Sequence, residues 1–266
     1  MSRIPQAFRR LKKNNEAALV PSLIIGYPSL QTTRTLLPVI ARQGADMIEL
    51  EVPLDNPPGG GASSLRATLD KNVTLSDCLS VAAEARRSNE VPLLMDIGYG
   101  VIEEYGLHRF AEAASASGID GLVVPDLPPE HEDELKTACE EHNIDLIFSL
   151  DTTSTEDRIR RVTEMASGFI YVSHNEGAET FIALNRNLPD LIARIRPYTD
   201  LPVIARLKLG TPQQVAEAVK VADGVVVDRA LTPLIETLPE DDLIIGVSDF
   251  IRGMKEVTLE LPAVGE

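Results

Sequence analysis

The sequence predicts an α/β protein folded as a single (β/α)8 TIM barrel with an extra N-terminal helix. Three observations carry that expectation. Strand-like and helix-like segments alternate along all 266 residues, eight strand-then-helix units can be marked off, and no linker or low-complexity tract divides them. Residues 1–266 therefore read as one domain. Eight such units have two main solutions, a doubly wound sheet or a closed barrel. The number favours the barrel, and no Gly-x-Gly-x-x-Gly turn follows the first strand to support a dinucleotide-type sheet.

Residues 3–14 form the leading amphipathic helix, with Ile4, Ala7, Phe8 and Leu11 on one face. A strand at 19–25 ends at Gly26-Tyr27-Pro28, and its helix, 32–42, stops at Gly44. The second strand ends at Pro53, and a Pro- and Gly-rich loop leads to a helix at 76–87. Asp77 lies near the start of that helix and Arg86 and Arg87 near its end, as the helix dipole prefers. Strand 92–95, closed by Asp96, precedes helix 107–117, and strand 121–124 precedes helix 130–142. Strand 144–150 is followed by helix 155–165, with Ser154 or Thr155 as its N-cap. Strand 169–172 runs into a polar loop at 173–180 and a helix reaching about residue 196. The last units are strand 201–205 with helix 212–221, then strand 224–227 with a closing helix inside 241–254.

The second strand is the informative one. Ile48, Leu50 and Val52 point one way and Met47, Glu49 and Glu51 the other. In a closed parallel barrel the second set faces the interior, where carboxylates are costly unless they do something. Acids at a strand end followed by a malleable loop are what an active-site face requires. Composition bounds the rest. Hydrophobic content of 44% with 25% charged residues is that of an ordinary soluble protein. Residues 1–15 are basic and amphipathic, unlike a signal peptide, and no stretch approaches the roughly 20 apolar residues of a membrane span. Cys78 and Cys139 lack metal-ligand spacing, which fits a reduced cytoplasmic setting. A net charge of −16 argues against a nucleic-acid partner and is also compatible with a high-salt habitat.

Taken in order, Val20-Pro21, Gly26-Tyr27-Pro28, Gly44-Ala45-Asp46-Met47-Ile48-Glu49-Leu50, Val52-Pro53, Gly121-Leu122-Val123-Val124-Pro125-Asp126-Leu127-Pro128 and Gly177-Ala178-Glu179 give a chain that resembles the tryptophan synthase α subunit family over nearly its whole length. The resemblance implies a barrel that cleaves indole-3-glycerol phosphate to indole and glyceraldehyde 3-phosphate. It also implies no cofactor of its own, and a pyridoxal-phosphate-dependent β subunit as partner. The family's general acid/base at the end of strand two falls on Glu49. The rest of the family's site is changed. Its loop aspartate falls on Gly60, with Asp55 nearby, and its strand-three tyrosine falls on Asp96. Its lid loop, here from Ser173 through His174 to Gly177, is shortened. The Gly-aromatic-Gly turn that holds phosphate is replaced by Arg206-Leu207-Lys208, and the Gly-Ser of strand eight by Asp228-Arg229. Gly210 is the glycine left nearby. Glycine lets backbone amides approach a phosphate closely, and these side chains would occupy that space.

Two readings of the site stay open. In one, Glu49 is the acid/base, Glu51, Asp55 and Asp96 are auxiliary acids, and Arg206, Lys208, Gly210 and Arg229 form a side-chain anion site for a small-molecule substrate. In the other, Glu49 and Glu51 neutralise Arg206 and Lys208 across the barrel as an internal salt-bridge cluster. The chain is then a non-catalytic homologue that docks on, or activates, a β-type partner through a loop containing Pro53, Asn56 and Pro57. Asp96, Asp126 and Asp151 at successive strand ends would suit a hard cation, but N-caps and turns explain isolated aspartates more often, and no metal is expected.

Overall fold

The computed structural model describes residues 2–53, 73–173, 181–207 and 210–259, with backbone alone for 181–186 and 207. Asp55, Asn56, Pro57, Gly60, His174, Gly177 and Lys208 lie outside the described residues. Eight parallel strands follow one another around a closed barrel: β1 (Ala18–Ile24), β2 (Ile48–Glu51), β3 (Leu93–Asp96), β4 (Gly121–Val123), β5 (Asp145–Leu150), β6 (Ile170–Ser173), β7 (Val203–Leu207) and β8 (Gly224–Val227). Closure is made by β8 pairing back on β1, with Val226 beside Val20. Around them lie α1 (Ile4–Asn14), α2 (Leu30–Arg42), α3 (Leu75–Arg86), α4 (Tyr99–Tyr105), α5 (Leu107–Ala116), α6 (Glu132–Glu141), α7 (Glu156–Met165), α8 (Phe181–Ile195), α9 (Pro212–Ala218), α10 (Thr232–Thr237) and α11 (Glu240–Glu256).

Two short helices go beyond the sequence expectation. Helix α4 is separated from α5 by Gly106, whose φ of +92° breaks the helical path. Helix α10 starts with Pro233 in its first turn and ends before Pro239, and six residues are too few to display an amphipathic period. The alternative over the cap of α7 resolves on Thr155, which accepts from the amide of Arg158, while Ser154 caps the Asp151 turn instead. Among the described residues no helix is long and apolar enough to cross a membrane.

Strand alternation divides the core in two. Leu19, Leu23, Ile48 and Leu50 face outward into the packing between sheet and helices. Ala18, Val20, Met47, Leu94, Val123, Ile147, Tyr171, Ile204 and Val226 face inward and fill the barrel. Helix α1 belongs to this inner cluster through Ile4, Ala7 and Leu11, and so closes the N-terminal end of the barrel. Gly121 makes room for it: a Cβ there would stand 2.9 Å from Ile4 Cδ1 and 2.8 Å from Ile147 Cδ1. The same end is tied by aspartates ahead of three strands. Asp46, Asp120 and Asp223 each accept the backbone amide of a residue on the preceding strand (Leu19), at the start of β3 (Leu93) or at the start of β7 (Val203). Each also pairs with a cation, Lys255 and Arg10 on Asp46, Arg3 and Arg86 on Asp120, and Arg196 on Asp223. The N-terminal end is thus fastened by charge-assisted bonds.

Candidate functional site

At the C-terminal end of the barrel the inward positions become polar. Strand parity puts Ser22 on β1, Glu49 and Glu51 on β2, Asp96 on β3, Tyr171 on β6 and Arg206 on β7 around one space. Asp228 and Arg229 follow directly after β8. Glu51 and Asp96 are neighbours across β2 and β3, as Ser22 and Glu49 are across β1 and β2.

Glu49 is the centre of this arrangement and has no solvent exposure. Its Oε2 accepts from the Tyr171 hydroxyl at 2.7 Å and from Arg206 Nη1 at 3.3 Å. Arg206 Nη2 stands 2.9 Å from the other oxygen, Oε1, without the alignment of a hydrogen bond. The same Nη2 is 2.8 Å from Asp96 and 3.6 Å from Asp228, and the guanidinium lies over the Tyr171 ring, 5.5 Å from its centroid. One arginine therefore serves three carboxylates. Glu51 is a step nearer the mouth and pairs through Oε2 with Arg229 at 3.2 Å. Arg229 itself sits at φ +50°, a left-handed conformation uncommon outside glycine, and its amide donates to Ser22 Oγ at 2.8 Å.

Burial dominates the titration of these groups. It pushes the Glu49 carboxyl up to about 8, Arg206 opposing and Asp96 and Glu51 adding to the rise. Glu51 is pushed up to about 7 by burial and then by Asp228, with Arg229 opposing. Asp96 is raised as well, by burial against the pull of Arg206. For Arg206, burial works to lower the value, and Glu49, Asp96 and Asp228 together outweigh it, so the guanidinium stays charged. Tyr171 is raised well above its usual range by burial and by Glu49, so its hydroxyl keeps its proton and acts as a donor.

The sequence-derived residues divide accordingly. Glu49, Glu51, Asp96, Arg206 and Arg229 come together at the mouth. Gly210 is exposed, and its amide donates to Gln214 Oε1 at 2.9 Å as part of the α9 cap. Asp126 accepts from the amide of Tyr99 at the start of α4, and Asp151 turns its own loop through Thr153 and Ser154. Pro53 follows β2 and is half-buried. Three participants escape a reading by residue type. Tyr171 lies in an apolar strand and looks like core, Ser22 sits in the middle of β1, and Asp228 looks only like an obstacle to phosphate. Parity at a strand's C-terminal end was the one available signal for Tyr171 and Ser22.

Comparison with known proteins agrees with this architecture. A family model described as tryptophan synthase alpha chain matches residues 8–256. The chain is 37% identical to the tryptophan synthase alpha chain of Chloroflexus aurantiacus, covering 95% of this chain and 97% of that one. It is 38% identical to that of Geotalea uraniireducens, covering 96% and 97%. Among solved structures, a tryptophan synthase from M. tuberculosis in ligand-free form superposes with a TM-score of 0.87 at 26% identity, covering 98% of this chain and 100% of that one. The tryptophan synthase alpha chain of Legionella pneumophila gives 0.88 at 25% identity, covering 99% and 100%. The α chain of that family carries no cofactor, and the pyridoxal phosphate belongs to its β subunit. With barrel order, leading helix and near full-length similarity in agreement, this chain belongs to the tryptophan synthase alpha chain family.

Proposed function

We propose that this chain is an α-chain homologue whose barrel mouth is closed to cleavage of indole-3-glycerol phosphate, and which works in the cytoplasm as a docking or activating partner of a pyridoxal-phosphate-dependent β-type subunit. One observation carries the reading: the Arg206 guanidinium lies between Glu49, Asp96 and Asp228 inside the barrel. A general acid/base must come within hydrogen-bond reach of the proton it moves. Glu49 is wholly buried, and its oxygens face Arg206 and Tyr171. A phosphate held after β7 and β8, as the family resemblance implies, would also meet Asp228, a like charge directly after β8. Docking draws support from the near full-length match to α chains and from Pro53 standing directly after β2.

A second reading, a carbon–carbon lyase acting on indole-3-glycerol phosphate or a relative of it, has one observation in its favour. Burial keeps the Glu49 proton to about pH 8, so at neutral pH the group is an acid able to donate. That reading needs Arg206 to leave Glu49 when substrate enters. Adding the chain to a tryptophan synthase β subunit tests the partner role. The two should co-migrate on a sizing column and β-subunit turnover should rise; neither effect at micromolar concentrations would overturn it.

A further inference from the structure

At the opposite end of the barrel the sign of the charge is reversed. Residues 3–13 hold five of the chain's 25 Lys and Arg and none of its 41 Asp and Glu, in a molecule of net charge −16. Four of those cations, Arg9, Arg10, Lys12 and Lys13, are exposed on α1, whose apolar face is turned into the barrel. Arg9, Lys12 and Lys13 make no ion pair among the described residues. Arg10 gives one nitrogen, Nη2, to Asp46, and its Nε and Nη1 meet no acceptor among the described residues.

A cleft of about 730 Å³ runs beside this helix, a volume within the range of about 300–1,000 Å³ usual for ligand sites. Arg3, Gln6 and Arg10 stand on the helix side, and Ala45, Val91 and Pro92 give the facing side an apolar surface. Helical spacing sets Arg3, Gln6, Arg10 and Lys13 in one row, at i, i+3, i+7 and i+10, with Lys12 on the other flank. The acids nearby do not cancel the row. Asp46 also has Lys255 as a partner, and Asp120, which holds Arg3, also has Arg86. Glu90 meets Arg3 from a side chain that is 80% exposed, so an incoming carboxylate can take its place in water.

We propose that this cleft and the basic row along it dock an extended acidic peptide segment of a partner protein. Seven residues of helix separate Arg3 from Arg10, a rise of about 10.5 Å. Three residues of extended chain span about 10 Å, so carboxylates three positions apart in such a segment reach both guanidiniums. Arginine binds carboxylate through paired N–H donors, and Arg10 has donors to spare. The apolar side formed by Ala45, Val91 and Pro92 suits a peptide, which brings carbon as well as charge, better than a bare inorganic anion. This surface lies at the end of the barrel away from the mouth, and the inference does not rest on the partner role proposed above.

The test is fluorescence anisotropy of a labelled hexaglutamate peptide titrated with the full chain at about 0.1 M salt, where charges more than about 10 Å apart are screened. The expected result is saturable binding with a dissociation constant below about 0.5 mM, against the repulsion of a net charge of −16. Arg10→Ala and Lys13→Ala should each weaken it about threefold or more, and Gln6→Glu should do the same by placing an acid in the row. Lys12→Ala removes the same charge from the other flank and should change it by less than about 1.5-fold. Gln6 and Lys13 are exposed and outside every described ion pair, so their variants decide the matter even if Arg10→Ala, which gives up Asp46, fails to fold. Absence of saturable binding, or equal losses for Lys12→Ala and Lys13→Ala, would overturn the site. Inorganic tripolyphosphate, used as a competitor, should bind less tightly than the peptide; tighter binding would make the cleft a small-polyanion site and overturn the peptide. Sedimentation of the chain alone should show no dimer that Lys13→Ala disperses, because such a dimer would make a second copy the occupant.

Discussion

Arg206 is the residue on which the mouth depends. Removing it leaves the buried Glu49 and the half-buried Asp96 and Asp228 without their shared cation, and stripping one partner from a buried pair costs about 3–5 kcal/mol. Glu51→Gln instead removes one carboxylate from a group in which, among the described residues, four carboxylates face two guanidiniums. Chemical denaturation should therefore show Arg206→Leu destabilised by about 3–5 kcal/mol and Glu51→Gln by less than about 1 kcal/mol. Equal losses would contradict an excess of acid. A pH effect follows with its own sign. Glu49 and Glu51 titrate near 4.5 when unfolded but near 8 and 7 in the barrel, so between those limits the folded chain holds more protons than the unfolded one. Stability contributed by these groups is then present at low pH and lost as pH rises through about 7 to 8. In chelator-containing buffer the denaturation midpoint should fall from pH 6 to pH 9, and the Glu49→Gln, Glu51→Gln double variant should flatten the slope. A midpoint that stays level across that range would contradict the raised values of both carboxylates. At this scale the sequence was legible in part. Alternation along β2 and β7 pairs Glu49 and Glu51 with Arg206, but residue type hides Tyr171, because a tyrosine among Phe169, Ile170 and Val172 reads as core.

Among the elements, α1 has a structural duty that sets it apart from the helices packed on the outer face. Ile4 is fully buried and sits with the side chains that fill the barrel, beside the space left by Gly121. Ile4→Ala should cost about 2–5 kcal/mol, because a cavity there has a rigid barrel wall on one side and can collapse little. A loss below about 0.5 kcal/mol in a urea titration would mean that α1 only rests on the barrel end. This helix was legible because its apolar positions recur at helical spacing over three turns. Helices α4 and α10 were not, since seven and six residues complete less than two full turns and their ends are set by Gly106 and Pro239. The aspartates Asp46, Asp120 and Asp223 are another feature invisible to periodicity: each works by accepting an amide from the adjacent strand, a contact that exists only once the sheet has formed.

For the molecule as a whole, eight alternating units were enough to reach the closed barrel, because right-handed βαβ connections repeated eight times leave few other solutions. The mouth is a property of closure. Glu49 and Asp228 are 179 positions apart and meet only because β8 returns to β1, next to β2. The chain keeps the family's architecture, and an arginine, Arg206, stands inside its barrel against Glu49, Asp96 and Asp228. Steady-state release of indole from indole-3-glycerol phosphate, measured for the full chain alone and with an added tryptophan synthase β subunit, bears on this most directly. No indole should appear above the uncatalysed background in either case, because Arg206 holds Glu49 and is shared with Asp96. Indole release that Glu49→Gln abolishes would contradict the closed mouth and make the chain a working lyase.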